Sequence, residues 1–213
     1  NLIAGLQIPT SGTIEHTASG QGKPGIGYVF QTPSLIPWRT IRDNAMFGAE
    51  IKGRNRADVE HRCSGLMAAH GLSGFESAYP SALSGGMQQR VSIMRAVLSG
   101  ARTILLDEPF SNSDFVMRRS LQKEVSRLVA NESLIAILVT HDFEEAVRIA
   151  DQLIVLSELP ARVKESFTIP IARDQRLDGA TSVLEEMADY VKRLEEAFLQ
   201  PDSKPRRVEK EVT

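Results

Sequence analysis

The 213-residue sequence has one cysteine, one tryptophan and a formal net charge of only −2. A lone thiol, Cys63, excludes an intrachain disulfide and fits a reducing compartment. Near-equal charge, 25 Lys+Arg against 27 Asp+Glu, gives no basic surface, so no nucleic-acid partner is expected. No apolar run approaches the roughly 20 residues needed to cross a bilayer, so any membrane association goes through a partner. Sustained heptads, internal repeats and a signal peptide are missing too. So is a Gly-rich loop ending in Gly-Lys-Ser/Thr: Gly22-Lys23 is followed by Pro24 and lacks the spacing. The first residue is not Met, and Asn1 to Leu6 reads as the last turn of a helix stopping at Gly5. A chain cut within a helix is the expectation.

What is present is a soluble-type composition, 42% hydrophobic and 24% charged, and a clear order of elements. Thr13-Ile14 is expected to begin a short strand, and Gly20 to Gly25 forms a loop. Ile26 to Phe30 reads as a strand ending at Gln31. Pro33 and Pro37 keep the next stretch from being helical. Thr40 or Asp43 can cap a helix from about Asn44, and Asp58 to His70 suggests another. From Ser84, the steps Met87, Val91, Met94, Leu98 mark one face of a helix. Thr103 to Asp107 and Leu134 to Val139 show no alternation and are expected to be buried on both faces of a parallel sheet. Helices are expected over Asp114 to Asn131 and Phe143 to Ala150, with a third strand, Leu153 to Leu156, in the same sheet. Strand, helix, strand, helix, strand predicts a doubly wound α/β layer, with ligands at the carboxyl ends of the strands. After Pro160 the signal weakens. Val183, Leu184, Met187, Tyr190, Val191, Leu194 and Phe198 form a helical stripe, read as packing on its own domain. The charged stretch from Pro201 reads as a disordered tail.

Two segments carry the chemistry. Leu83-Ser84-Gly85-Gly86-Met87-Gln88-Gln89-Arg90 is a polar turn opening into a helix, and helix N-termini favour phosphate. Thr103-Ile104-Leu105-Leu106-Asp107-Glu108-Pro109 is an apolar strand ending in two carboxylates, which suit a magnesium ion and an activated water. His141 stands at the end of the next strand, where it could stabilise developing phosphate charge. Asp142 can equally cap the following helix. Cys63, among Glu60, His61 and Arg62, reads as a bystander.

The first segment resembles the signature motif of ATP-binding cassette (ABC) ATPases, with Met87 where many members have Gln. Thr103 to Glu108 resembles the Walker B strand and catalytic glutamate. Ser111-Asn112-Ser113-Asp114 resembles the D-loop, Val139-Thr140-His141-Asp142 the switch-histidine motif, and Val29-Phe30-Gln31 the Q-loop. The motifs stand in the family's order over roughly residues 26 to 156. The resemblance implies a P-loop NTPase-like fold, α/β with a parallel sheet flanked by helices and a helical subdomain over about 32–100, incomplete at the N-terminus because the Walker A loop and a core strand are missing. It implies an ATPase domain over 1–160, an extension with an amphipathic helix over 161–200, and a tail over 201–213.

By resemblance, Glu108 and His141 are catalytic. Asp107 and Gln31 bind Mg²⁺, and Gln31, Leu83, Ser84, Gly85, Gly86, Met87 and Asp114 contact ATP. The signature residues face ATP held by a second cassette in a head-to-tail dimer, with Asp114 at the seam. Gln31 to Asn44, with Leu-Asp-Glu-Pro-Phe and Thr-His-Asp-Phe-Glu-Glu-Ala, is similar to importer ATPases of the nitrate, sulfonate and taurine group. That implies ATP-driven uptake of a small solute, an anion being the candidate class. Permease subunits are the direct partners and an external solute-binding protein an indirect one. The location is the cytoplasmic face of the inner membrane. Leu35, Ile36 and Trp38 either line a groove for a permease helix or pack under the helical section. These residues alone are expected to hydrolyse ATP negligibly. The alternative is a non-catalytic half-site that completes ATP bound on an intact partner.

Overall fold

The computed structural model describes residues 1–15, 25–111 and 113–199. The expected loop from Gly20 lies mostly outside them, as do Asn112 of the D-loop and the charged tail from Pro201. The chain divides into two compact units, Asn1–His141 and Asp142–Thr213.

The first unit is built on a parallel sheet of β1 (Ile26–Val29), β2 (Thr103–Asp107) and β3 (Ile135–Val139), in that spatial order. β2 is central, and Ile104, Leu105 and Leu106 are buried, as a strand covered on both faces should be. β3 departs from expectation. Ile135 and Val139 are 64% and 57% exposed, so its apolar run lies on an outer strand of this sheet. Helix α4 (Phe115–Asn131) makes the crossover from β2 to β3, with Asp114 as its N-cap accepting from Met117 N–H at 2.9 Å. Gly27 lets β1 approach the neighbouring helix. A Cβ there would lie 2.8 Å from Ala96 Cβ.

Helices α1 (Ile41–Ile51), α2 (Arg56–Ala69) and α3 (Gly85–Leu98) share one core, including Ile41, Met46, Val59, Cys63, Met67, Leu83, Val91 and Met94. Thr40 caps α1 through Asp43 N–H at 3.1 Å, so the helix starts at Ile41. The loop before α1 is locked by Asn44, which is fully buried. Its Oδ1 accepts from Ile36 N–H at 2.7 Å, and its Nδ2 donates to the carbonyls of Ile36, Arg39 and Thr40. At the start of the chain, Gly5 N–H donates to Leu2 O and Leu6 N–H to Asn1 O, with Gly5 at φ +71. That is the paired-bond geometry of a helix C-terminus, as the sequence suggested. Among the described residues no neighbour pairs with Thr13 and Ile14, and they form no strand.

In the second unit, β4 (Gln152–Leu156) pairs antiparallel with β5 (Val163–Thr168) as a separate two-stranded sheet. The sequence placed Leu153 to Leu156 in the parallel sheet. Its burial in fact alternates, Leu153 and Val155 inward and Ile154 and Leu156 outward. Ser157 to Arg162 then return the chain directly, and so short a connection permits only an antiparallel partner. Helices α5 (Phe143–Ile149), α6 (Arg173–Asp178) and α7 (Thr181–Leu199) complete this unit. Met187 and Leu194 of α7 join Val147, Leu153, Val155 and Phe167 in its core. This packing is why the compact unit begins at Asp142, whereas the sequence put a boundary at 160. A fully buried Arg176 donates to the carbonyls of Val147 (2.5 Å), Ala150 (2.6 Å) and Ile171 (2.9 Å) and pairs with Asp151. It caps the C-terminus of α5 with a cation, where the helix dipole favours one.

Candidate functional site

The ends of the three parallel strands bring Tyr28, Gln31, Asp107, Glu108 and His141 together. Tyr28 lies opposite Leu105 in the parallel register, and Asp107, two residues further along β2, points to the same face. The Tyr28 hydroxyl donates to Asp107 Oδ2 at 2.9 Å. Burial first, and the Asp107 carboxylate second, push the phenol above its ordinary pKa.

Glu108 follows in a left-handed backbone conformation, φ +44. Such a backbone costs a non-glycine residue about 1–3 kcal/mol and persists only when its surroundings fix it. Here they do. Glu108 N–H donates to Val139 O at 2.9 Å, tying the turn to the end of β3. Glu108 O accepts from Ser111 N–H at 3.3 Å and from Ser111 Oγ at 3.0 Å. The carboxylate is then gripped on both oxygens: Gln31 Nε2 donates to Oε2 at 3.3 Å, and His141 Nδ1 lies 3.2 Å from Oε1. Gln31 Nε2 also reaches Ser111 Oγ at 3.1 Å. His141 is largely exposed and Glu108 half-buried, so the cluster opens to solvent while its backbone is fixed from below.

The signature segment is built differently. Ser84 is the N-cap of α3, with extended backbone and a hydroxyl accepting from Met87 N–H at 3.4 Å. Ser84 and Gly85 are exposed, and Gly85 has open space around its Cα. Leu83 is buried in the helical core and Met87 packs against it, which anchors the turn. Gly86 is buried against Met117 of α4. Gln89 is buried and donates to Phe30 O at 3.3 Å, linking α3 to the segment that carries Gln31. Asp114 caps α4, as described.

Between Gln31 and α1, Leu35 packs on the helical core while Trp38 stands 79% exposed. The loop is pinned by Arg95, which donates to the carbonyls of Ser34 and Pro33 at 3.0 and 3.1 Å. Cys63 is buried, and that burial pushes its thiol up to about 11, which suits a bystander. Asp142 caps α5 through Glu145 N–H at 2.9 Å. Tyr28 and Gln89 carried no signal of their own in the sequence. Both follow from the β1–β2 register and the packing of α3, which are long-range.

A family model described as ABC transporter matches residues 1–111, more than half of the chain. The chain belongs to the ABC transporter ATP-binding family. It is 37% identical over 82% of its length to the nitrate import ATP-binding protein of Synechocystis, of which it covers 66%. It is 38% identical over 81% of its length to the taurine import ATP-binding protein of Escherichia coli, of which it covers 69%. Among solved structures it superposes with TM-score 0.59 and 27% identity on a dimeric post-hydrolysis state of an ATP-binding cassette bound to ADP and Pi, over 70% of this chain and 65% of that one. The chain thus spans about two thirds of the length of these relatives. The fold is that of the ABC ATPase cassettes, a P-loop NTPase-type α/β sheet with helices.

Proposed function

We propose that this chain belongs to the ATP-binding and ATP-hydrolysing subunit of an importer, which couples hydrolysis to uptake of a small solute, an anion being the candidate class by likeness to the nitrate relative. The observation that carries the reading is the strand-end cluster, a strained Glu108 whose carboxylate is oriented from both sides by Gln31 and His141. In this reading Glu108 orients the attacking water and takes its proton. Gln31 and His141 hold that carboxylate at a fixed angle, and His141 also meets charge developing on the γ-phosphate.

Oxygen donors at Asp107 and Gln31 fit a hard cation such as Mg²⁺. Among the described residues no three His, Cys, Asp or Glu side chains converge as a metal cage. A single carboxylate with an amide suits Mg²⁺, which keeps waters and phosphate oxygens in its shell. When bound, Mg²⁺ neutralises charge on the phosphates. Tyr28 holds Asp107 ready by occupying Oδ2 alone.

Ser84, Gly85 and Gly86, with Asp114, are proposed to face ATP held by a second cassette. Leu83 and Met87 serve that face only by anchoring it. Exposed Trp38, beside a pinned loop, is proposed to meet the permease subunits, through which the solute-binding protein acts. Among the described residues no helix is long and apolar enough to cross a membrane, which agrees with attachment through such a partner at the cytoplasmic face. A Gly-rich Lys-Ser/Thr loop is absent from the 213 residues, so these residues by themselves are proposed to turn over ATP negligibly. The test compares magnesium-dependent ATP turnover of this chain with that of a protein in which such a loop precedes it. Robust turnover only in the second supports the reading. Turnover in neither, with both folded, contradicts it.

A further inference from the structure

Two helices capped at their N-termini by motif residues are tied together by one carboxylate. Glu124 of α4 accepts a two-pronged pair from Arg90 of α3, Nε to Oε2 and Nη2 to Oε1, each at 2.8 Å. His70 Nδ1, at the C-cap of α2, lies 3.5 Å from Oε2, and Ser120 Oγ donates to Oε1 at 3.1 Å. The fork is largely withdrawn from water, with Arg90 15% and Glu124 23% exposed. Burial alone pushes the Glu124 carboxyl up, and the hydrogen bonds from His70 and Arg90 outweigh it, leaving the carboxyl below its ordinary value.

The same helices touch one turn earlier on α3. A Cβ on Gly86 would lie 2.8 Å from Met117 Sδ, so glycine permits the approach. Gly86 to Met117 and Arg90 to Glu124 run in the same sense along both helices. α3 and α4 therefore lie side by side with their N-termini at one end, where Ser84 caps one and Asp114 the other.

We propose that Glu124 is a positioning residue that, by gripping Arg90, sets α3 against α4 and so presents Ser84–Gly86 and Asp114 as one rigid face to the nucleotide of a second cassette. This rests on the reading that Ser84–Gly86 faces that nucleotide. Guanidinium and carboxylate are both planar, and a two-pronged pair fixes angle as well as distance. A lysine at position 90 keeps the charge and loses the angle.

The test uses the full-length protein with Glu124→Gln, Arg90→Lys and the exchanged pair Arg90→Glu with Glu124→Arg. ATP affinity of the separated subunit, ATP-driven dimerisation and turnover are measured together with the melting temperature. The expected result is unchanged subunit affinity, a fall of roughly ten- to a hundredfold in turnover and dimerisation for the two single variants, and substantial recovery in the exchanged pair. Arg62→Ala, which breaks the half-buried pair between Arg62 of α2 and Glu132 at the C-cap of α4, serves as a control and leaves subunit affinity, dimerisation and turnover unaltered. Full turnover in Glu124→Gln and Arg90→Lys overturns the proposal. So does a loss that follows the melting temperature alone and is not recovered by the exchange. A wild-type protein that does not dimerise with ATP overturns the functional reading as well, which separates the two failures.

Discussion

The strand-end cluster and the signature turn are both polar sites of a few residues, yet they are assembled by opposite means. Glu108 meets Gln31 across 77 positions of sequence and His141 across a complete crossover helix. Each contact exists only because β1, β2 and β3 are in register. Ser84, by contrast, caps its own helix three residues away, with its exposed glycine needing no tertiary partner. One site is a property of the sheet and the other of a turn. Damage to the sheet should therefore reach Glu108 first and leave the cap of α3 standing.

Four substitutions or conditions probe that contrast. The largest effect is expected from Glu108→Gln in the full-length protein, a loss of about 10²–10⁴ in turnover with ATP binding retained, read by steady-state hydrolysis and equilibrium binding. Leu106→Ala comes next. Leu106 is 2% exposed at the centre of β2, and its truncation should cost about 2–5 kcal/mol in denaturant unfolding. Amide exchange should then rise at residues 104–108 before it rises in α3, and simultaneous loss in both would dissolve the contrast. Ser84→Ala removes one cap bond and should cost about 1 kcal/mol, leaving the environment of Glu108 untouched. The last effect is nil at neutral pH and appears only in alkali, in the core beneath the signature turn. Cys63 has a folded pKa raised by burial from 9.0 to about 11. The neutral thiol is favoured in the folded state, so this contribution to stability is full below pH 9 and declines as pH rises from 9 to 11. A Cys63→Ser variant should lack that decline in pH-dependent denaturation.

The two sites also differed in how far the sequence revealed them. Thr103–Asp107 was readable because a strand ending in two carboxylates between two helical patterns has few other meanings. Asp142 as a cap and Ser84 as a helix start were readable because capping is local. The partners of Glu108 were implied only by resemblance, since spacing alone does not bring residues 31, 108 and 141 to one place. Apolar runs misled twice. Ile135–Val139 is an exposed outer strand and Leu153–Leu156 half of a hairpin, because a run of Ile, Leu and Val reports tolerance of burial rather than the presence of a cover. Arg176 was invisible for a related reason, as its partners are carbonyls that converge only after α5 and α6 have packed.

The central claim is that Glu108 and Ser84 of one chain serve two different nucleotides. Mixing two inactive full-length variants, Glu108→Gln and Ser84→Arg, tests it most directly by ATP turnover. In a head-to-tail dimer, the mixed pair has one site with an intact Glu108 from one chain and an intact Ser84 from the other. The account predicts that each variant alone is inactive and that an equal mixture recovers up to roughly a quarter of the wild-type rate, the share of intact sites under random pairing. No recovery, with mixed dimers demonstrably formed, would mean that both residues act on the same nucleotide and would contradict the account.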